Sequence, residues 1–285
     1  MQYGVYLPNF GCFGDVHTLT ELAHEAEEAG WDGFFIWDHI AGWEHDMVDP
    51  WVALAAIAMR TKRIRIGTTV TPLPRRRPWK VAREAVTVDH LSNGRLILGV
   101  GSGGSGVEFE GFGEETDAKQ RGSMLDEALE IITGLWSGEL FSFSGQHYQV
   151  AKVKFTPKPV QSPRIPIWVG GFWPNKPPFR RAAQWDGLFP LFSTKGEAEE
   201  LAFLKKAVTY VKEHRSSQAA FEVIALGPTP GDNIAKANEI VERHAAAGAT
   251  WWLEAIGPFR FGIGFDAQEW PFEKLRHRVQ QGPPK

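Results

Sequence analysis

The chain is expected to fold as an α/β protein, a single-domain (β/α)8 TIM barrel with a small insertion after its fourth helix. Three observations predict this. Short apolar runs that read as buried strands alternate with amphipathic helical stretches, and eight such pairs can be counted in 285 residues. Each pair runs strand first and helix second, so the strands must be parallel. No linker-like stretch divides the chain, so residues 1–285 read as one domain.

The first strand, residues 3–7, closes at Pro8-Asn9. Thr18 and Glu21 read as a capping box opening a helix through Leu19, Leu22, Ala23, Ala26 and Ala29, with Gly30 as its stop. Gly33-Phe34-Phe35-Ile36-Trp37 is the second strand. It ends in a carboxylate and an imidazole, Asp38-His39, and this is the end where parallel α/β folds bind ligands. Asp49-Pro50 caps a helix carrying Val52, Leu54, Ala55, Ala58 and Met59. A strand over 64–70 leads into a loop with Arg75-Arg76-Arg77, and the next helix runs through Val81, Ala82, Ala85, Val86 and Leu91 to Asn93-Gly94.

Strand 96–100 precedes a glycine-rich loop and a long helix containing Met124, Leu125, Ala128, Leu129, Ile132 and Leu135. The alternation then breaks. Phe141, Phe143, Tyr148 and Val150 flank Gly145-Gln146 and suggest a short hairpin, so 138–166 reads as the insertion. Strands at 167–169, 187–191, 221–226 and 250–254 follow, with helices near Phe179, over 197–214, over 234–247 and over 270–279.

Net charge is −3 and charged residues make up 23%, which gives no reason to expect nucleic acid or a membrane surface as a partner. A small organic molecule is the default. Cys12 is the only cysteine, so an internal disulfide and a thiolate metal cluster are excluded. With no leader-like segment or apolar span in the sequence, a cytoplasmic protein is expected.

Function should collect at strand carboxyl ends: Asn9, Asp38, His39, Thr69, Val70, the glycines from Gly101 to Gly104, Gly170, Gly171, Pro190, Leu191 and Glu254. No lysine sits there for Schiff-base chemistry, and too few ligands converge for a metal hydrolase. Glycine and aromatic walls with few charges suit a flat ligand that brings its own reactivity, such as a flavin. Gly99, Gly101 and Gly104 also fit a dinucleotide-binding spacing, but no helix starts at once after them, so that match carries little.

Several segments together resemble the bacterial luciferase-like superfamily of flavin- and deazaflavin-dependent oxidoreductases. They are Trp37-Asp38-His39, Ile66-Gly67-Thr68-Thr69-Val70, Asp89-His90-Leu91-Ser92-Asn93-Gly94-Arg95 running into Leu98-Gly99-Val100-Gly101-Ser102-Gly103, and Arg121 with Leu125-Asp126-Glu127. Further on, Phe143-Ser144-Gly145, Pro157-Lys158-Pro159-Val160-Gln161, Ile167-Trp168-Val169-Gly170-Gly171 and Asp186-Gly187 continue the likeness over most of the chain.

The resemblance implies a cis Thr69-Val70 peptide against the central ring of the cofactor, with cofactor contacts at Asp38, Thr69, Val70, Gly101, Ser102, Gly103, Gly170 and Gly171. It also implies His39 as acid or base and Trp43 beside the substrate; the plainer reading is that His39 only hydrogen-bonds the cofactor or Asp38. The length and the His39–Trp43 pair lean toward the deazaflavin coenzyme F420 over FMN, and hydride transfer over monooxygenation. A homodimer is also implied. A flavin-binding barrel without turnover is the contrasting reading.

One departure stands out. Sugar-phosphate dehydrogenases of the superfamily have a glutamate directly after the strand-four glycines, where this chain has Gly104; Glu108 could substitute only if its loop folds inward. For Arg75-Arg76-Arg77 a solvated loop is the expectation, with reception of an anionic cofactor tail as the functional alternative.

Overall fold

The computed structural model describes residues 1–104 and 106–284. In chain order the strands are β1 (Gln2–Leu7), β2 (Gly33–Ile36), β3 (Arg65–Pro72), β4 (Leu96–Gly101), β5 (Leu140–Ser144), β6 (Gln149–Lys154), β7 (Ile167–Trp173), β8 (Gly187–Phe192), β9 (Glu222–Gly227) and β10 (Trp251–Ala255). The helices are α1 (Val16–Glu28), α2 (Pro50–Arg60), α3 (Pro78–Leu91), α4 (Val107–Glu110), α5 (Ala118–Trp136), α6 (Lys176–Ala182), α7 (Glu197–His214), α8 (Ile234–Ala246) and α9 (Phe272–Gln280). Eight strands close into a parallel barrel in the order β1-β10-β9-β8-β7-β4-β3-β2, while β5 and β6 form a separate antiparallel hairpin. This is the (β/α)8 barrel that the alternation predicts, and the hairpin falls where the pattern breaks.

Strand alternation divides the core in two. Outward residues such as Val5, Leu7, Phe34, Ile36, Ile66 and Leu98 pack under the helices. Inward residues form a second cluster of Phe35, Ile97, Trp168, Phe189, Ile224, Trp251 and Leu253 that fills the barrel. Large rings fit inside because small residues face them: a Cβ on Gly4 would stand 2.7 Å from Leu253, and one on Gly33 would stand 2.5 Å from Phe35. Tyr6, Val70, Leu191 and Leu226 are partly buried against this cluster at the carboxyl ends of their strands, where they floor the mouth.

Local signals mostly hold, with informative shifts. Helix α1 starts a turn before the expected cap, because Asp15 accepts from the Thr18 amide at 2.7 Å and so supplies the N-cap itself. Helix α2 begins at the expected Asp49 cap, whose carboxylate accepts from the Trp51 and Val52 amides. Its periodicity does not mark only a core face, however: Val52 and Met59 are 63% and 70% exposed. The short helix α4, inside the glycine-rich loop, is an element that periodicity does not announce.

Candidate active site

Alternation continues past the end of β2 and sorts its last residues. Trp37 and His39 fall on the barrel side with Phe35, and Asp38 falls on the helix side with Phe34 and Ile36. Asn9, at the end of β1, fixes the turn: its side-chain amide donates to the carbonyls of His39 (2.8 Å) and Val48 (2.7 Å), and its oxygen accepts from the His39 amide (3.2 Å). The His39 ring stands 4.6 Å from Trp43, 5.5 Å from Trp37 and 6.1 Å from Phe10, each edge-on. Trp43 itself stacks on Phe10 at 4.3 Å.

The expectation that Asp38 contacts the cofactor meets a different geometry. Its side chain has no exposure, and both oxygens are engaged: Thr71 donates at 2.7 Å, Arg75 at 2.8 Å and Arg76 at 2.7 Å. Arg75 also donates to the Asp38 carbonyl. The expectation of a solvated arginine loop is corrected for Arg75 and Arg76. The Arg75 and Arg76 side chains are only 2% and 16% exposed, because a buried carboxylate requires paired cations. Arg77 alone of the three is exposed.

Glu108 can enter the site only if its loop folds inward, and the loop does so. Gly103 has a φ of 74°, and a Cβ there would lie 2.5 Å from the Phe109 ring, so glycine lets Phe109 bury itself. Arg121 lies over that ring at 4.7 Å. With Phe109 anchored, Glu108 reaches across the mouth. Its Oε2 is 3.0 Å from His39 Nδ1; its Oε1 accepts from the Ile40 amide at 2.6 Å and ion-pairs with Arg75 Nη1 at 2.8 Å. Burial opposes ionisation, but the hydrogen bonds from His39, Ile40 and Arg75 outweigh it and hold the Glu108 carboxyl down at about 2. His39 is therefore bonded to Glu108, not to Asp38.

The Thr69-Val70 peptide is cis, as the resemblance implies. Val70 projects between the glycines of neighbouring strands, since a Cβ on Gly101 would stand 2.8 Å, and one on Gly170 2.9 Å, from its methyl groups. Pro178 similarly occupies the side-chain direction of Gly171, at 2.2 Å. Ser102 is half-buried beyond the end of β4. The Thr69 hydroxyl oxygen is buried without a hydrogen-bond partner among the described residues, which is the condition of a group awaiting a ligand. An apolar floor of Tyr6, Val70 and Leu191, one orphaned hydroxyl and close backbone approach suit a flat ring system.

Glu254, expected among the functional strand ends, does not join them. It follows outward-facing Trp252 by two residues and is fully buried on the outer wall, where Thr229 donates to both oxygens at 2.8 and 2.7 Å and Arg260 pairs at 2.7 Å. Cys12 is half-buried and its thiol is pushed up to about 12 by burial, so it offers no ready thiolate.

The profile of the family described as luciferase-like monooxygenase matches residues 1–281. The chain belongs to this family. It is 39% identical over 158 residues to an F420-dependent glucose-6-phosphate dehydrogenase of Amycolatopsis mediterranei, covering 54% of this chain and 47% of that protein. It is 33% identical over 161 residues to the oxygenase component of a flavin-dependent trigonelline monooxygenase of Acinetobacter baylyi, covering 56% and 44%. The matches thus span about half the length of these relatives. In three dimensions it resembles monooxygenase RslO1 of Streptomyces bottropensis, with TM-score 0.74 and 19% identity over 99% of this chain and 97% of the other, a likeness of fold.

Proposed function

We propose that this protein is an oxidoreductase that exchanges hydride between coenzyme F420 and a small organic substrate, with His39 handling the substrate proton. The observation that carries this reading is the His39 ring, held through Nδ1 by an ionised carboxylate beside an apolar mouth, with Nε2 free of hydrogen bonds among the described residues. Thr69, Val70, Gly101, Ser102, Gly103, Gly170 and Gly171 would hold the ring and its phosphate, and Asp38 would act behind them by fixing the arginine loop. The bound cofactor would supply hydride acceptance or donation. For substrate oxidation, the hydroxyl proton passes to His39 Nε2; for reduction, Nε2 returns it. Phe10, Trp37 and Trp43 keep water from that proton, and Trp43 borders the substrate.

FMN-dependent monooxygenation is the second reading, favoured by the likeness to the trigonelline enzyme. A barrel that binds flavin without turnover is the third, and a hydrogen-bonded histidine–carboxylate pair at the mouth argues against it. We further propose a cytoplasmic homodimer. Its support is the exposed pair Val52 and Met59, with Ala56 between them on α2, an apolar helix face of the kind that a second copy covers; no helix among the described residues is long and apolar enough to cross a membrane.

The test is His39→Ala assayed with F420 against secondary alcohols and glucose 6-phosphate, alongside binding of F420. Retained binding with lost turnover supports the reading; an unchanged rate refutes the role of His39. Light scattering on Met59→Glu tests the dimer, which should become a monomer.

A further inference from the structure

We propose that Glu108 is a positioning residue that fixes the tautomer of His39, and that Arg75 and the Ile40 amide determine how it does so. The inference rests on the reading of His39 as acid or base. Glu108 is ionised and can only accept, so the His39 nitrogen facing it at 3.0 Å must carry a proton, which in the neutral ring leaves Nε2 as the basic edge. The two carboxylate oxygens are not equivalent. Oε1 accepts from the Ile40 amide at 2.6 Å and, more distantly, from the Ala41 amide at 3.4 Å, and it ion-pairs with Arg75 Nη1 at 2.8 Å, while Oε2 meets only the imidazole among the described residues.

Arg75 cannot turn away from Oε1, because its other terminal nitrogen is committed to Asp38 at 2.8 Å in a pair with almost no exposure. Among the described residues, no other charged or titratable group reaches His39 Nδ1. Asp38 points to the helix side with Arg76, and His45 stacks on Phe10 at 6.2 Å with its Nε2 on the Phe265 carbonyl at 2.8 Å. Among the described residues the imidazole is therefore addressed by a single acceptor, and that acceptor is oriented by the Ile40 amide and by an arginine that the rest of the loop immobilises.

This asymmetry makes an isosteric substitution decisive. In Glu108→Gln the side-chain oxygen must remain toward Arg75 and the Ile40 amide, so the new NH2 group points at His39 and donates to Nδ1. The ring would then carry its proton on Nε2, the wrong edge for a base. The experiment is 15N NMR of histidine-labelled protein above neutral pH, with the His39 signals assigned by their loss in His39→Asn.

The wild type should show a protonated, pyrrole-type Nδ1 and an unprotonated Nε2, and Glu108→Gln should exchange the two assignments while leaving F420 binding within threefold. Turnover should fall 10²-fold or more in kcat with KM little changed. An unprotonated Nδ1 in the wild type overturns the proposal without any variant, so poor folding of Glu108→Gln cannot shelter it. An unchanged tautomer in a folded Glu108→Gln overturns it as well. If the tautomer exchanges and turnover does not fall, the positioning stands and the catalytic reading of His39 is what fails.

Discussion

Arg75 and Asp38 form an ion pair at 2.8 Å whose side chains are 2% and 0% exposed, and this pair ties the loop after β3 to the end of β2 directly behind His39. Removing one partner of such a pair leaves a buried charge short of a counter-ion. Arg75→Met should therefore destabilise the fold by about 2–4 kcal/mol, less than for a fully isolated pair because Arg76 and Thr71 stay on Asp38. Urea denaturation measures it, and a loss below about 0.5 kcal/mol would mean that the loop is held by packing alone.

Glu108 gives the stability of the protein a defined acid limb. Its folded pKa of about 2 lies below its ordinary value of 4.5, so it stabilises the fold above pH 4.5 and that contribution fades as pH falls toward 2. Solvent screening at this partly exposed carboxylate reduces the contribution to about 1–2 kcal/mol. Stability of Glu108→Gln, followed from pH 6 downward, should show a shallower acid decline than wild type; parallel curves would remove Glu108 from the account.

Glu254 should behave as a structural carboxylate. Its oxygens hold Thr229, Arg260 and Arg278 on the outer wall, on the opposite side of β10 from the barrel interior. Glu254→Gln should lower the unfolding free energy by about 2–4 kcal/mol and leave cofactor affinity unchanged. A tenfold loss of affinity with intact stability would return Glu254 to the functional set.

Val70 and Gly170 should be energetically coupled. A Cβ at Gly170 would stand 2.9 Å from a Val70 methyl, so Gly170→Ala must displace the side chain beside the cis peptide. The single variant should cost about 1–3 kcal/mol, and Val70→Ala in the same chain should recover at least half of it. Additive effects in the double-mutant cycle would show that the two residues do not press on each other.

How far the site was readable depended on whether its contacts run along the chain or across it. Period-two and period-3.6 patterns carry the barrel, because strands buried on both faces and amphipathic helices are local features. His39 and the Thr69-Val70 pair are readable from strand ends and from resemblance. Glu108 is not, since its contact with His39 spans 69 positions and depends on Phe109 filling the space that Gly103 leaves. A usable signal was present in Glu108-Phe109, a carboxylate beside a large apolar anchor.

The arginine loop departs from its sequence expectation for a physical reason. Three consecutive cations between prolines look solvated, yet alternation from Phe34 and Ile36 sends Asp38 into the helix layer, where a carboxylate must find cations. Taking those two facts together predicts that Arg75 and Arg76 turn inward.

The most direct test of the account is equilibrium titration of the purified protein with F420 and, separately, with FMN, read by quenching of tryptophan fluorescence. Tighter binding of F420, unaltered by His39→Ala, is the predicted result. Tight FMN binding with none of F420 would contradict the deazaflavin assignment, and binding of neither would contradict the flavin-type mouth over Val70 altogether.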